Sequence, residues 1–157
     1  MSEILHTLPA IGNALIRGWS MATVPKGFKK ANEFPNEAFV QSAIEAYFTA
    51  QGFQTDTTVD GHSDLVCYSP EHGQRWVIEA KGQTAAVGLD VRTGLGQLLR
   101  AMHDPATHYG LAVPDTPPFL AQCRPISAWV RQALGLHWLL VRPDESVRLV
   151  GPDDTLP

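Results

Sequence analysis

The stretch Trp76-Val77-Ile78-Glu79-Ala80-Lys81 is an apolar run that ends in an acid and a base one residue apart. If this run is a β-strand, residues i and i+2 project to the same face of its sheet. Glu79 and Lys81 then emerge side by side, while Ile78 and Ala80 point the other way. The stretch therefore predicts a strand that presents two opposite charges together near its end.

A second apolar run, Asp64-Leu65-Val66-Cys67-Tyr68, begins with an acid. The turn residues Pro70-Glu71-His72-Gly73 separate the two runs, a spacing typical of an antiparallel meander. Adjacent strands would then bring Asp64 and Glu79 to one end of the sheet, with Lys81 beside them. Mg²⁺ prefers oxygen ligands from one or two carboxylates, so the two acids predict a divalent-metal site.

Helical periodicity and turn residues divide the rest of the chain into short elements. The predicted order is a helix over 36–51, strands over 53–58, 64–68 and 75–80, a helix over 90–102, a strand over 109–113, a helix over 126–134 and a hairpin over 137–141 and 146–150. The expected buried stripes are Val91, Leu95, Leu98, Leu99 and Met102 in the second helix, and Ile126, Trp129, Val130, Ala133 and Leu134 in the third. This order predicts an α/β sandwich with a mixed sheet.

The first predicted helix adds a third acid. Asn36 and Gly52 are typical of its two ends. Glu37 lies in the first turn, on the same stripe as Val40 and Ile44, and should therefore face inward. The alternative is that Glu37 only stabilises the helix, because acids in a first turn interact favourably with the helix dipole.

Together these residues resemble the PD-(D/E)xK nuclease superfamily, over roughly residues 33–114. Glu79-Ala80-Lys81 matches the (D/E)xK element, and Asp64 matches the lone Asp that precedes it, with Ser63 in place of the motif's proline. Glu37 matches the helix acid of the branched-DNA resolvase and repair branches. The resemblance implies a restriction-endonuclease-like α/β/α sandwich with a central mixed sheet, as in Holliday-junction resolvases or related small endonucleases.

The resemblance also implies a chemistry, the hydrolysis of phosphodiester bonds in DNA by a Mg²⁺-dependent endonuclease. Asp64, Glu79 and the backbone carbonyl of Ala80 would hold Mg²⁺, with Mn²⁺ as a substitute, and Glu37 would hold a metal-bound water or a second ion. Lys81 would orient or deprotonate the attacking water and stabilise the phosphoryl charge. Gln97 matches a glutamine on the following helix that positions the site or contacts DNA, although it could equally face solvent.

Candidate contacts to a phosphate backbone lie in two places. The candidates are Arg92 and Arg100 on the second long helix, and Lys26, Lys29 and Lys30 in the N-terminal region. A solvated helix face or a simple basic loop explains the same residues. The formal net charge of −4 argues against broad, nonspecific coating of nucleic acid.

Length and composition indicate one ordinary globular domain. The chain has 157 residues, of which 44% are hydrophobic and 18% charged. We expect a single nuclease-like domain over 1–157, with its core at about 33–141 and an N-terminal helix and basic loop over 1–32. No signal peptide or membrane-spanning run is recognisable, and Cys67 and Cys123 match no metal spacing. A cytoplasmic protein without membrane partners is expected.

Several functions remain compatible with the sequence. The leading hypothesis is a structure-directed DNA endonuclease, or a nuclease module that acts with partner proteins of a DNA-processing system. One domain would hold one active site, so cutting both strands would require two copies, most simply a homodimer. The alternatives are a catalytically inactive nucleic-acid-binding or assembly module on the same fold, and a nuclease that acts on RNA. The number of metal ions stays open.

Overall fold

The computed structural model describes residues 32–57 and 64–157. The predicted N-terminal helix and the basic loop with Lys26, Lys29 and Lys30 lie outside the described residues. Within the described part, no helix is long and apolar enough to cross a membrane.

Four helices and six strands make up the described chain. In order they are α1 (Glu37–Ala50), β1 (Gln54–Asp56), β2 (Leu65–Ser69), β3 (Gln74–Ala80), α2 (Val87–Ala101), β4 (His108–Pro114), α3 (Pro117–Cys123), α4 (Ala128–Leu134), β5 (Leu136–Val141) and β6 (Val147–Val150). The strands form one sheet in the order β1-β2-β3-β4-β5-β6. The first three strands pair antiparallel, β3 to β5 pair parallel, and β5 and β6 close an antiparallel hairpin. The prediction of an α/β fold with a mixed sheet is confirmed.

Helices cover both faces of the sheet, so the core has two layers. On one face, Val40, Ile44 and Phe48 of α1 pack against alternate strand residues that include Ile78 and Ala80. On the other face, α2 and α3 pack against a second set of strand residues. The alternation along β3 follows the prediction, because Ile78 and Ala80 belong to the α1 side and Val77 to the α2 side.

The ends of α1 agree with the signals in the sequence. The helix begins at Glu37, directly after Asn36, and ends before Gly52. Gly52 has a φ of +82°, a left-handed conformation that glycine adopts without steric cost. Asn36 and Gly52 therefore mark the two ends of α1, and Glu37 is the first residue of the helix.

The later helices differ from the predicted boundaries. Helix α2 begins at Val87 and not at residue 90, because Asp90 lies inside the first turn and its carboxylate accepts hydrogen bonds from Thr84 at 2.8–3.1 Å. Helix α3 was not predicted. Its two prolines, Pro117 and Pro118, occupy the first helical positions, where a missing N–H costs nothing. Helix α4 begins at Ala128, since the Ser127 side chain accepts the Val130 N–H at its start.

Three residues predicted to be buried are exposed: Leu99, Trp129 and Ala133. Leu99 is 50% exposed, because the buried stripe of α2 runs through Val91, Gly94 and Leu98, and Leu99 lies one residue beyond it. Trp129 is 74% exposed. The buried residue of α4 is instead Arg131, whose guanidinium donates a hydrogen bond to the Gly151 carbonyl at 3.0 Å. The predicted burial of Leu99, Trp129 and Ala133 is therefore wrong.

Candidate active site

Lys81 lies one residue beyond the end of β3. Its backbone N–H donates to the Ala112 carbonyl at 2.9 Å, which continues the parallel pairing with β4 past the last residue of the strand. The Lys81 side chain is only 11% exposed. Its Nζ atom lies 2.6 Å from Glu79 Oε1, 3.7 Å from Asp64 Oδ2 and 3.7 Å from Glu37 Oε2. Three carboxylates from three parts of the chain thus surround one amine.

Asp64 is fixed to the end of β3 by its side chain. Its Oδ2 atom accepts the Ala80 N–H at 2.8 Å. The neighbouring register, with Leu65 opposite Ile78, puts Asp64 at the level of Glu79 on the adjacent strand. The prediction that the start of the second strand and the end of the third meet is therefore confirmed by the pairing.

Glu37 reaches the cluster because α1 begins directly beside the end of β3. Gly82 makes this approach possible, since a Cβ atom at this position would overlap the backbone of Glu37. The Gln83 N–H also donates to the Pro35 carbonyl at 2.9 Å. The Glu37 side chain is 53% exposed, so it is not the buried residue that its place on the apolar stripe predicts, although its carboxylate does turn toward Lys81.

Burial gives the cluster unusual electrostatics. Glu79 is 1% exposed, and burial raises the pKa of its carboxyl to about 7, against the opposing effect of the Lys81 ammonium. Burial alone would lower the pKa of Lys81, but the carboxylates of Glu79, Asp64 and Glu37 outweigh it and raise that pKa above its usual value. Lys81 is therefore charged in this arrangement.

The cluster is organised around an amine. Within residues 32–57 and 64–157, no three His, Cys, Asp or Glu side chains lie together in a way that could hold a metal ion. Two carboxylates nevertheless suit a hard cation such as Mg²⁺. Glu79 Oε1 is buried and lies 2.6 Å from the Lys81 ammonium, a charge-assisted contact that leaves the carboxylate with further lone pairs for a ligand. Asp64 and Glu79 therefore fit a divalent ion.

Among the described residues, Gln97, Arg92 and Arg100 make no hydrogen bond or ion pair with the cluster, and Lys26, Lys29 and Lys30 lie outside the described chain. Gln97 makes no hydrogen bond to Lys81 or the three acids within the described residues, and its Oε1 atom is buried without a partner. The alternative that Gln97 simply faces solvent is therefore wrong for that atom. Arg92 and Arg100 are exposed on α2. The structure thus brings together Glu37, Asp64, Glu79 and Lys81.

Two residues that shape the site were not singled out from the sequence. Gln41, one helical turn after Glu37, places its Nε2 atom 3.4 Å from the Asp64 carbonyl oxygen and so links α1 to the start of β2. Its spacing of four from Glu37 is a signal that could have been read, because i and i+4 share a helix face. Gly82 has only a weaker signal, its place directly after Lys81.

An α/β/α sandwich with an acid–acid–lysine cluster at the end of neighbouring strands defines the class of PD-(D/E)xK nucleases. A family model described as "Restriction endonuclease" (Mrr_cat) matches residues 32–126, more than half of the chain. That match includes all four residues of the cluster. The chain therefore belongs to the Mrr_cat restriction endonuclease family, and its catalytic domain is of the DNA endonuclease type.

One curated protein is similar over part of the chain. It is named 23S rRNA (uracil(1939)-C(5))-methyltransferase RlmD and comes from Verminephrobacter eiseniae (strain EF01-2). The two are 33% identical over 90 residues, which is 57% of this chain but 17% of that protein. Most of that protein thus lies outside the matched stretch.

Proposed function

We propose that this protein is a Mg²⁺-dependent endonuclease that hydrolyses phosphodiester bonds in DNA. One observation carries the proposal: the carboxylates of Glu37, Asp64 and Glu79 all lie within 3.7 Å of the Lys81 amine. Phosphodiester hydrolysis needs a bound hard cation, an oriented water and a positive charge near the phosphate. This set of side chains offers a group for each need.

Asp64 and Glu79 would hold Mg²⁺, with the Ala80 carbonyl as a third protein oxygen and Mn²⁺ as a substitute ion. The buried Glu79 carboxylate supports this assignment, because its contact with the Lys81 ammonium leaves lone pairs available for an ion. The bound ion would supply an acidified water and offset negative charge on the phosphate. The Ala80 N–H, by bonding to Asp64 Oδ2, would hold that carboxylate in place before the ion arrives.

Lys81 would act chiefly as a cation. The surrounding carboxylates raise the pKa of Lys81, so it starts out protonated and can stabilise charge that develops on the phosphoryl oxygens. Once an ion shares its carboxylates, Lys81 is free to orient the attacking water. Glu37, which is half-exposed at the rim, would hold a water or a second ion. Gln97 would position the site from α2.

We also propose phosphate contacts, a mode of action and an assembly state. Exposed Arg92 and Arg100 on α2 are proposed phosphate contacts, together with Lys26, Lys29 and Lys30. We also propose structure-directed cleavage, or action with partner proteins of a DNA-processing system. One site per chain favours a homodimer where both strands are cut. The described thiols, both free and buried, suit a cytoplasmic protein.

A nuclease assay with matched variants tests the proposal. Supercoiled, branched, single-stranded and RNA substrates are incubated with the protein, with Mg²⁺, Mn²⁺ or EDTA. We expect nicking that depends on the ion, and a loss of at least about 100-fold in Lys81→Ala and Asp64→Ala, since each removes a group that stabilises the transition state. Glu71→Ala is the matched control, because this acid is 86% exposed in a turn.

The outcomes separate the candidate functions. Equal nicking by the wild type, Lys81→Ala and Asp64→Ala would indicate a contaminating enzyme. Binding of DNA without cleavage under every condition would favour the inactive binding module. Cleavage of RNA alone would keep the chemistry and reject the DNA substrate. Among the DNA substrates, the one cut fastest would show whether the enzyme recognises branched structure.

A further inference from the structure

Gly94, in the middle of α2, lies directly against the stem of Lys81. A Cβ atom at this position would lie 2.8 Å from Lys81 Cγ and 2.7 Å from Leu111 Cδ1, and 3.5 Å from Lys81 Cε. Carbon atoms prefer separations of about 3.5–4.0 Å, so neither of the two closest atoms could stay where it is. Gly94 is buried, so the extra methyl group could not turn to solvent.

We propose that Gly94 is a positioning residue for Lys81. Because glycine has no side chain, it leaves the space that the Lys81 side chain occupies on its way to the three carboxylates. The proposal rests on the proposed function for its effect on catalysis. A glycine in a helix interior is unfavourable relative to alanine, so a structural requirement for small size explains its presence at this position.

The two atoms that face Gly94 differ in how easily they can move. Leu111 Cδ1 is the end of a flexible side chain, and a rotation can carry that methyl group away. Lys81 Cγ lies in the middle of its side chain, and the Lys81 backbone is held by the bond from its N–H to the Ala112 carbonyl. A shift of Cγ must therefore be carried to Nζ, which is the atom that faces the three acids.

The same helix contains a matched control two residues away. A Cβ atom at Gly96 would meet nothing within 4 Å. Gly94→Ala and Gly96→Ala thus make the same chemical change in the same helix, and both gain the better helix propensity of alanine. Only Gly94→Ala adds a methyl group against Lys81. Any difference between the two variants therefore measures the effect of placing a methyl group against Lys81.

The experiment compares these variants in three measurements. The first is the ¹³Cε–¹Hε resonance of Lys81, assigned by its loss in Lys81→Ala. The second is the urea midpoint of each variant alone and combined with Lys81→Ala. The third is kcat and KM for Mg²⁺-dependent cleavage of the preferred DNA. The first two need no nuclease activity, so an inactive wild type would defeat the proposed function while the position of Lys81 is still tested.

We expect Gly94→Ala to shift the Lys81 resonance and lower kcat by about 10- to 100-fold, with KM changed less than about 2-fold, since small misplacement of a catalytic group is costly. Gly96→Ala should leave both unchanged and raise the midpoint. Gly94→Ala should lower the midpoint in the wild-type background, but not when Lys81→Ala has removed the stem.

The opposite results would overturn the proposal. An unchanged Lys81 resonance in Gly94→Ala, or an equal loss of kcat in Gly96→Ala, would show that the glycine has no specific effect on the lysine. If Gly94→Ala alone does not fold, the double variant decides. It should then fold as well as Lys81→Ala, and its failure to fold would assign the space at Gly94 to general packing.

Discussion

Titratable side chains lie at both ends of the central parallel strands, but the partners of these side chains differ between the two ends. At the amino ends, His108 stacks on Trp76 with a ring separation of 4.7 Å, and His137 contacts Trp76 edge-on at 4.8 Å. His137 Nδ1 lies 2.9 Å from the Gly135 carbonyl and 3.2 Å from the Tyr109 carbonyl, so it donates to backbone oxygens. At the carboxyl ends, the Glu79 carboxylate and the Lys81 ammonium are each other's nearest charged partner.

This difference distinguishes a titratable residue that serves packing, His137, from one that can serve catalysis, Glu79. Burial lowers the pKa of His137, which keeps the ring neutral among aromatic neighbours and backbone carbonyls. The partners of His137 lie within the protein, so its surroundings give no sign of a ligand site. Glu79 is buried more fully, and its charge is balanced mainly by one ammonium that Asp64 and Glu37 also share. A buried charge that the fold leaves only partly satisfied is the better sign of a functional site.

The largest effect should come from breaking the ion pair at the carboxyl end. Lys81→Met removes the cation and leaves Glu79 buried without its nearest partner. We expect the free energy of unfolding to fall by about 3–5 kcal/mol, measured in EDTA at pH 8. At this pH Glu79 is mostly ionised in the wild type. Urea denaturation measures this loss.

The double variant Glu79→Leu, Lys81→Met provides the control for that loss. Replacing a buried ion pair by apolar side chains is often neutral or stabilising, so most of the stability should return while nuclease activity stays absent. A single variant that is as stable as the wild type would mean that the pair is effectively solvated, and the contrast between the two ends of the strands would disappear.

A smaller effect should appear at the amino end as a pH dependence. The pKa of His137 is lower in the folded chain than its usual value, so the unfolded chain binds more protons as the pH falls through about 6.5. His137 should therefore lower stability on acidification. The raised pKa of Glu79 acts in the opposite direction below about 7, so the two must be separated.

His137→Asn makes that separation, because its amide can still donate to the backbone carbonyls but does not titrate. We expect the wild type to lose more stability than His137→Asn between pH 8 and pH 5.5, measured by urea denaturation of both proteins. Parallel pH profiles for the two proteins would show that the His137 ring is already hydrated in the folded state.

The smallest effect should come from an ion pair that is not enclosed. Arg142 Nε lies 3.0 Å from Asp115 Oδ2, but the Arg142 side chain is 48% exposed. Arg142→Gln should cost no more than about 1 kcal/mol of unfolding free energy, as is usual for pairs in contact with water. A cost near that of Lys81→Met would show that burial is not what distinguishes the carboxyl-end cluster.

Local sequence patterns predicted the parts of this molecule that local geometry controls. The strand period of two put Glu79 and Lys81 together, and the turn before β3 put Asp64 opposite them. The exposure of Leu99 and Trp129 depends on where whole helices pack, which periodicity alone does not give. Helix α3 was not predicted; Pro117 and Pro118 at its first positions are compatible with a helix start as well as with a turn.

The site also contains features that no single segment of sequence predicts. The clearance at Gly82 and Gly94 exists only because α1 and α2 approach β3 from its two sides. A glycine that serves such an approach has the same appearance in sequence as one that is merely tolerated, as Gly96 is. The roles assigned to Glu37, Asp64, Glu79, Lys81 and Gln97 stay predictions until the variants are assayed.

The hairpin between β2 and β3 couples two distant places. Its turn over residues 70–73 lies at the opposite end of β2 from Asp64, about 17 Å away at the usual rise per residue. Because side chains alternate, a shift of one residue in the pairing would turn Asp64 to the other face of the sheet. The length of this remote turn helps to fix the register, so we expect a one-residue insertion or deletion there to lower the proposed nuclease activity although no residue of the cluster is changed.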